Sequence, residues 1–290
     1  MKCLIVLFFI LGFLPHAQSA ELKIMAYNIK GLPFSWLDQG RYEAIGLKFN
    51  EMRQKGEAPE IVTLQEAFDS STDAVMLLSG YPYSVKGPRS QGTKVNSGLV
   101  IMSEYPILKT DSMIYRDCIG FDCLSIKSIL HTRIQVPGLE RPLDMYTTHL
   151  NADPDMPGTP REDTEYVRLK QTQEAVEFIF RTWDQKNPLI IAADFNFHPN
   201  DWSYQFFQTH TQTINTVEKC MQLGTCGGDQ DYLKYWQTSF DHQFYHPGRR
   251  NEITVTPTYY KKRFTEKFNG KPFSDHLALE NHYDITQSAP

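Results

Sequence analysis

The chain has 290 residues, of which 41% are hydrophobic and 22% charged, and a formal net charge of -5. That is enough apolar sequence for one large core, and no linker, charge block or internal repeat divides it. The acidic balance excludes a binder that tracks nucleic acid through a broad basic face, but it allows phosphate-ester chemistry in which a metal ion supplies the local positive charge.

The first 20 residues, "MKCLIVLFFILGFLPHAQSA", read as a cleaved secretory signal peptide, with Lys2 the only charge and an apolar run from Leu4 to Leu14 before small residues. That run is shorter than the roughly 20 residues needed to span a bilayer. Residues 21–290 are then expected to form a single catalytic domain, secreted or periplasmic.

Next comes "LKIMAYN", an alternating strand that ends at Asn28. The loop "GLPFSWLDQG" follows, and its Phe34, Trp36 and Leu37 suit either a membrane interface or a buried anchor. "RYEAIGLKFNEMRQKG" has helical spacing, with Ile45, Phe49 and Met52 on one face and Gly56 as a stop. "IVTLQE" is a strand ending at Glu66, and "SGLVIMSEYPI" and "LSIKSILHTRIQV" read as further strands.

"LDMYTTH" is a strand ending at His149, followed by a long helix from about Arg161 to Gln185 with Val167, Thr172, Val176, Ile179 and Trp183 loosely on one side. "LIIAADFN" is a strand ending at Asp194 and Asn196, and the aromatic helix start after it carries Tyr204, Phe206 and Phe207. "ITVTPTYY" is strand-like, and a last strand, "LALENHY", follows the polar triplet of Ser274, Asp275 and His276. Strands outnumber helices without strict alternation, so the fold class is α+β, layered, with mixed or antiparallel sheets inside and helices outside.

Beyond the signal, the cysteines fall into two near pairs, Cys118 with Cys123 and Cys220 with Cys226. In an exported chain this spacing favours local disulfides over zinc, although four cysteines permit three pairings.

The strand ends carry the chemistry. A buried strand holds its terminal side chains rigidly at the point where the backbone meets solvent. Asn28, Glu66, His149, Asp194, Asn196, Asp275 and His276 are mostly hard oxygen donors or imidazoles, which suit Mg²⁺, with Mn²⁺ or Ca²⁺ as alternatives, better than zinc. A phosphate diester needs this mixture of cation, donors and base.

In order and spacing, "MAYNIKG", "IVTLQEAF", "SGLVIMSEYPI", "TTHLNAD", "IIAADFNFHP", "SFDHQFY" and "SDHLAL" resemble the endonuclease/exonuclease/phosphatase superfamily across nearly the whole mature chain. The resemblance implies a four-layered α/β sandwich of two packed mixed β-sheets flanked by helices. It makes Glu66 the principal metal ligand with Asn28 beside it and Asp275 on the metal-proximal side. His276 becomes the general base and Asp241 the acid that orients it. Asp194 and Asn196 would position water and phosphate, and His149 would stabilise transition-state charge. The chain departs from the family pattern at Phe240, where an aliphatic residue usually precedes the Asp, and at Gln243, which interrupts the apolar run after it.

"FDCLSIKSILHTRI" is similar to a segment of neutral sphingomyelinases and places Lys127 at the substrate, with Ser128 where glycine is usual. The implied reaction is hydrolysis of sphingomyelin to ceramide and phosphocholine at a membrane surface, without an obligate protein partner. A secreted nuclease acting on DNA is the alternative. Its phosphate contacts would come from Lys86, Arg89 and Lys94, or from Arg249, Arg250, Lys261, Lys262 and Arg263. A second alternative is an inactive lipid- or partner-binding protein of the same fold.

Overall fold

In the computed structural model the described residues are 18–31, 40–68, 70–154, 157–249 and 252–288. Most of the expected signal peptide, the loop with Phe34, Trp36 and Leu37, and Arg250 lie outside them.

In chain order the strands are β1 (Gln18–Gly31), β2 (Ile61–Ala67), β3 (Tyr83–Lys86), β4 (Val100–Ser103), β5 (Ile107–Ile114), β6 (Ser128–Ile134), β7 (Leu143–Thr148), β8 (Leu189–Asp194), β9 (Ile214–Asn215), β10 (Gly227–Gly228), β11 (Asp241–His246), β12 (Ile253–Arg263), β13 (Lys267–Phe268), β14 (Lys271–Pro272) and β15 (Ala278–Gln287). The helices are α1 (Arg41–Gln54), α2 (Asp73–Ser79), α3 (Arg161–Thr182), α4 (Trp202–Thr211), α5 (Thr216–Leu223) and α6 (Tyr232–Trp236). No described helix is long and apolar enough to cross a membrane.

Seven strands form one sheet in the order β10-β12-β15-β1-β2-β4-β3, and six form another in the order β5-β6-β7-β8-β11-β9. Both are mixed: β1 runs parallel to β2 and β7 parallel to β8, while β15 and β11 join antiparallel.

Strand alternation explains the layers. In β1, Leu22, Ile24 and Ala26 face the second sheet, where they meet Leu130, Met145, Ile190 and Ala192. The intervening Met25, Tyr27 and Ile29 face Ile45, Phe49 and Met52 of α1. On the far side, Tyr146, Ile191 and Phe244 pack under Val176 and Ile179 of α3 and Phe207 of α4. The result is the expected helix, sheet, sheet, helix sandwich.

Residues 18–20 open β1 and pair with Gln287, Thr286 and Ile285 of β15. Two sequence expectations need adjustment. "SGLVIMSEYPI" is not one strand: β4 lies in the first sheet between β2 and β3 and, after Glu104 to Pro106, β5 forms an edge of the second. The buried stripe of α3 includes Arg168 and Gln171 in place of Val167, because both side chains hold the backbone just beyond His149.

Both local disulfides are present, Cys118–Cys123 and Cys220–Cys226, each with a Cα–Cα distance of 5.3 Å. Gln243, the polar interruption in β11, bridges the sheets: its amide donates to the carbonyls of Ile24 (3.1 Å) and Leu279 (3.0 Å), and its oxygen accepts from Tyr283 (2.9 Å).

Candidate active site

Mixed topology gathers the polar strand ends at one edge. β1, β2, β7 and β8 finish there, while the antiparallel β11 and β15 begin there, so Asp241 lies in register with Asp194 and His149 bridges to it from the other side. Asn28 comes from the first sheet and pairs in register with Gln65, one residue before Glu66.

The backbone is strained around this edge. Lys30, Glu66 and Asn196 take positive φ angles of 50°, 56° and 52°, a conformation costly for residues with a Cβ and concentrated at functional sites. Two glycines make room for the turn at Glu66. A Cβ on Gly31 would stand 2.2 Å from the Glu66 carbonyl oxygen, and one on Gly98 would stand 3.0 Å from the Glu66 Cα.

At the centre, the Asn28 amide donates to Glu66 Oε1 and to Asp194 Oδ2, both at 2.9 Å. It thus joins two carboxylates from different sheets. His276 Nδ1 lies 2.9 Å from Asp241 Oδ2, and its Nε2 lies 3.7 Å from Asp194 Oδ2. His149 Nε2 is 3.6 Å from Asp194 Oδ2 and 3.9 Å from Glu66 Oε1. Glu66, His149, Asp194, Asn196, Asp275 and His276 form the polar wall of one pocket of about 700 Å³, with Asn28 and Asp241 buried behind it.

Electrostatics separates the two histidines. Burial and the neighbouring Lys127 ammonium push His149 down to about 3, so it is neutral near pH 7 and acts as a hydrogen-bond donor, not as a cation. Burial also opposes charge on His276, but the Asp241 and Asp194 carboxylates outweigh it and raise this imidazole to about 10. Burial raises Glu66 and Asp241, whereas the two imidazoles and the Asn28 amide overcome burial and lower Asp194.

The donor set fits a divalent cation. Glu66 and Asp194 are crowded acids sharing one amide, and Asn28 would offer its Oδ1 after a flip of that amide. Ligand atoms of Asp194, Asp241 and His276 also lie within 4.8 Å of one another, and Asp241 Oδ1 is buried without a hydrogen-bond partner. Asp275 stands at the pocket edge, where it is half-exposed and pairs with Lys30 at 2.6 Å.

Lys127, expected at the substrate, is buried behind His149. Its Nζ is 2.6 Å from Asp122 Oδ1 and 3.4 Å from either nitrogen of His149. Sequence reasoning did not single out Asp122 or Lys30, both of which line the pocket. The acid of "FDC" five residues before Lys127 was the available signal for the first. Lys30 carried none, because its partner Asp275 is 245 residues away. His198 closes a turn with Asp201 outside the catalytic cluster.

The basic stretches are mostly engaged with internal partners. Lys86 pairs with Asp73, Lys261 and Arg263 with Glu280, and Lys262 with Asp229. Arg249 lies over the Phe180 ring, and none of these residues lines the pocket.

Comparisons with known proteins agree with this geometry. A sphingomyelinase of Dictyostelium discoideum is 32% identical over 123 residues, covering 35% of this chain and 27% of that protein. A sphingomyelinase C of Bacillus cereus is 26% identical over 265 residues, covering 78% of this chain and 77% of that protein. Among solved structures, a Staphylococcus aureus beta toxin variant with bound magnesium ions superposes with a TM-score of 0.65 at 18% identity, covering 93% of this chain and 100% of the other. D. rerio TDP2 complexed with a single-strand DNA product gives a TM-score of 0.67 at 17% identity, covering 91% and 99%. Residues 27–276 match the Endonuclease/Exonuclease/phosphatase family, a span that runs from the strand carrying Asn28 to His276 itself, and the chain belongs to that family.

Proposed function

We propose that the chain is a secreted, metal-dependent phosphodiesterase that hydrolyses sphingomyelin to ceramide and phosphocholine. The observation that carries the phosphodiesterase reading is the His276–Asp241 pair set against Asp194, Asn28 and Glu66 in one hydrogen-bonded cluster at the pocket wall. The lipid reading is supported by relatives named sphingomyelinase and by the Phe68, Val95, Phe121 and Leu124 side of the same pocket. Two disulfides suit an extracellular protein.

Glu66 and Asn28, with Asp275 at the edge, would hold the cation, most simply Mg²⁺, which supplies charge neutralisation at the phosphate oxygens. His276 Nε2 takes the proton of the attacking water, while Asp241 holds Nδ1 and fixes the ring. Asp241, Asp194 and Asp275 together favour the protonated His276, and offsetting the Asp275 charge with a cation held there would lower the barrier to a neutral imidazole. Neutral His149 donates to the developing charge on phosphate. Asn196 uses one amide hydrogen on the Leu150 carbonyl at 3.0 Å, leaving the second for a phosphate oxygen. The bond from phosphorus to the ceramide oxygen breaks, and that oxygen takes a proton from water.

Phosphocholine release from sphingomyelin vesicles, assayed with EDTA and then with added Mg²⁺, Mn²⁺ or Ca²⁺, tests this. Release that needs metal and vanishes in His276→Ala and Glu66→Ala is the expected result. Nicking of plasmid DNA in place of phosphocholine release would assign the nuclease alternative, and binding of lipid without hydrolysis of either substrate would assign the binding-protein alternative.

A further inference from the structure

The pocket has two unlike sides, and the catalytic groups account for only one. Opposite them, a short 3-10 turn from Gly120 to Leu124 places Phe121 and Leu124 at the mouth. Phe121 is 50% exposed and Leu124 63%, although both are large apolar side chains on the pocket wall. The other exposed large apolar residues, among them the pair Tyr166 and Trp202, lie away from the catalytic pocket. Phe121 and Leu124 are neighbours at its mouth, and Phe68 and Val95 continue the apolar wall inward.

The turn is held firmly. The Cys118–Cys123 disulfide closes it, and Asp122 within it accepts from the Ala152 backbone at 2.6 Å and pairs with Lys127 at 2.6 Å. The Ile119 amide donates to Asn151 Oδ1 at 3.0 Å, and the Val95 amide to the Leu124 carbonyl at 2.9 Å. These ties reach the loop after His149, so the apolar edge and the catalytic groups are fixed relative to each other. A rigid edge does not fold away to hide its apolar side chains from water.

We infer that this turn is the membrane-contacting edge of the enzyme, and that Phe121 and Leu124 enter the apolar boundary of a bilayer to hold the pocket mouth over a lipid headgroup. The inference rests on the lipid reading above. Its occupant follows from continuity: whatever meets the apolar edge adjoins a phosphate ester in the same pocket, and a phospholipid surface provides both. Nucleic acid fits less well, because the pocket cation Lys30 is already paired with Asp275, and Lys127 behind the wall with Asp122. Burial of about 55 Å² of this apolar surface, a part of what the two side chains expose, favours binding by about tenfold at the usual 25 cal/mol per Å².

The test compares wild type with the double variant Phe121→Ser, Leu124→Ser and with Phe121→Leu. Each is sedimented with vesicles of phosphatidylcholine and sphingomyelin in EDTA, so that no turnover occurs. A drop in bound fraction equivalent to about tenfold weaker partitioning for the double variant, with binding restored by the apolar Phe121→Leu, is expected. Thermal midpoints matched to wild type establish that folding is intact, and surface substitutions of this kind should barely move them. Equal sedimentation of the folded double variant and wild type would overturn the inference, as would a loss confined to binding of single-stranded DNA. If wild type releases no phosphocholine but the variant still loses vesicle binding, the catalytic reading fails and the membrane edge stands. If wild type hydrolyses sphingomyelin while the variant sediments normally, the reverse holds.

Discussion

The two site histidines sit a few ångströms from the same Asp194 carboxylate and yet carry different charge, and the cause is the partner each has on its other side. His149 backs onto Lys127, which removes any reason for it to be protonated, whereas His276 backs onto Asp241. Replacing Asp241 with Asn keeps the hydrogen bond's shape but removes the charge that orients and sustains the imidazole. Asp241→Asn should therefore lower kcat for phosphodiester hydrolysis by about 10²–10⁴ with little change in KM, and His276→Ala by at least as much. Steady-state kinetics on folded variants checks both, and a KM effect without a kcat effect would move Asp241 from proton chemistry to substrate binding. Lys127 should behave differently, since it does not line the catalytic pocket. Lys127→Met leaves the part-buried Asp122 without its ammonium and should unfold at lower temperature than wild type, as scanning calorimetry would show.

At the scale of elements, the strands that supply the site could be read from the sequence because each is a short apolar run stopped by a polar residue. Asn28, Glu66, His149 and Asp194 do lie at strand ends, and the periodicity of α1 placed Ile45, Phe49 and Met52 on its buried face. What could not be read there depends on contacts distant in sequence. The split of "SGLVIMSEYPI" between two sheets depends on which partners β4 and β5 find, and the burial of Lys127 depends on Asp122 and the Leu150 carbonyl meeting it. The left-handed turn at Glu66 also has no local signature, because the glycine that tolerates it, Gly98, is on the segment leading into β4. That glycine has a φ of 65°, and a Cβ there would come within 2.6 Å of the Phe68 ring. Gly98→Ala should cost about 1–3 kcal/mol and displace Glu66, so that urea unfolding shifts to lower concentration and the divalent cation needed for half-maximal activity rises. A variant with wild-type stability and metal requirement would show that the turn at Glu66 does not depend on this close approach.

Across the whole molecule, the first sheet carries a second charged cluster, on the outer face of β12 and β15 and apart from the catalytic groups. Glu280 is 1% exposed and accepts from Arg263 Nε at 2.8 Å, with Lys261 at 3.1 Å and His282 at 2.7 Å. Burial alone would raise this carboxyl, but His282, Arg263 and Lys261 overcome it and hold the group at about 2, against an ordinary value of 4.5. The folded state therefore binds the Glu280 proton more weakly than the unfolded chain does. The resulting stability is fully present above pH 4.5 and is lost as pH falls through the folded value near 2. A shift of this size corresponds to stabilisation on the order of 3 kcal/mol. Replacing Glu280 with Gln removes the titrating group, so the variant should be less stable than wild type at neutral pH and should lose less stability on acidification from pH 5 to pH 2. Urea unfolding across that range measures both curves. They should converge at the acid end, where the wild-type carboxyl is protonated as well, and parallel curves would show that Arg263 and Lys261 find equivalent partners without the Glu280 charge. Because β15 pairs with β1 along its length and β1 delivers Asn28, loss of this cluster should also bring forward the acid inactivation of the enzyme, through the sheet and without any change at the catalytic groups.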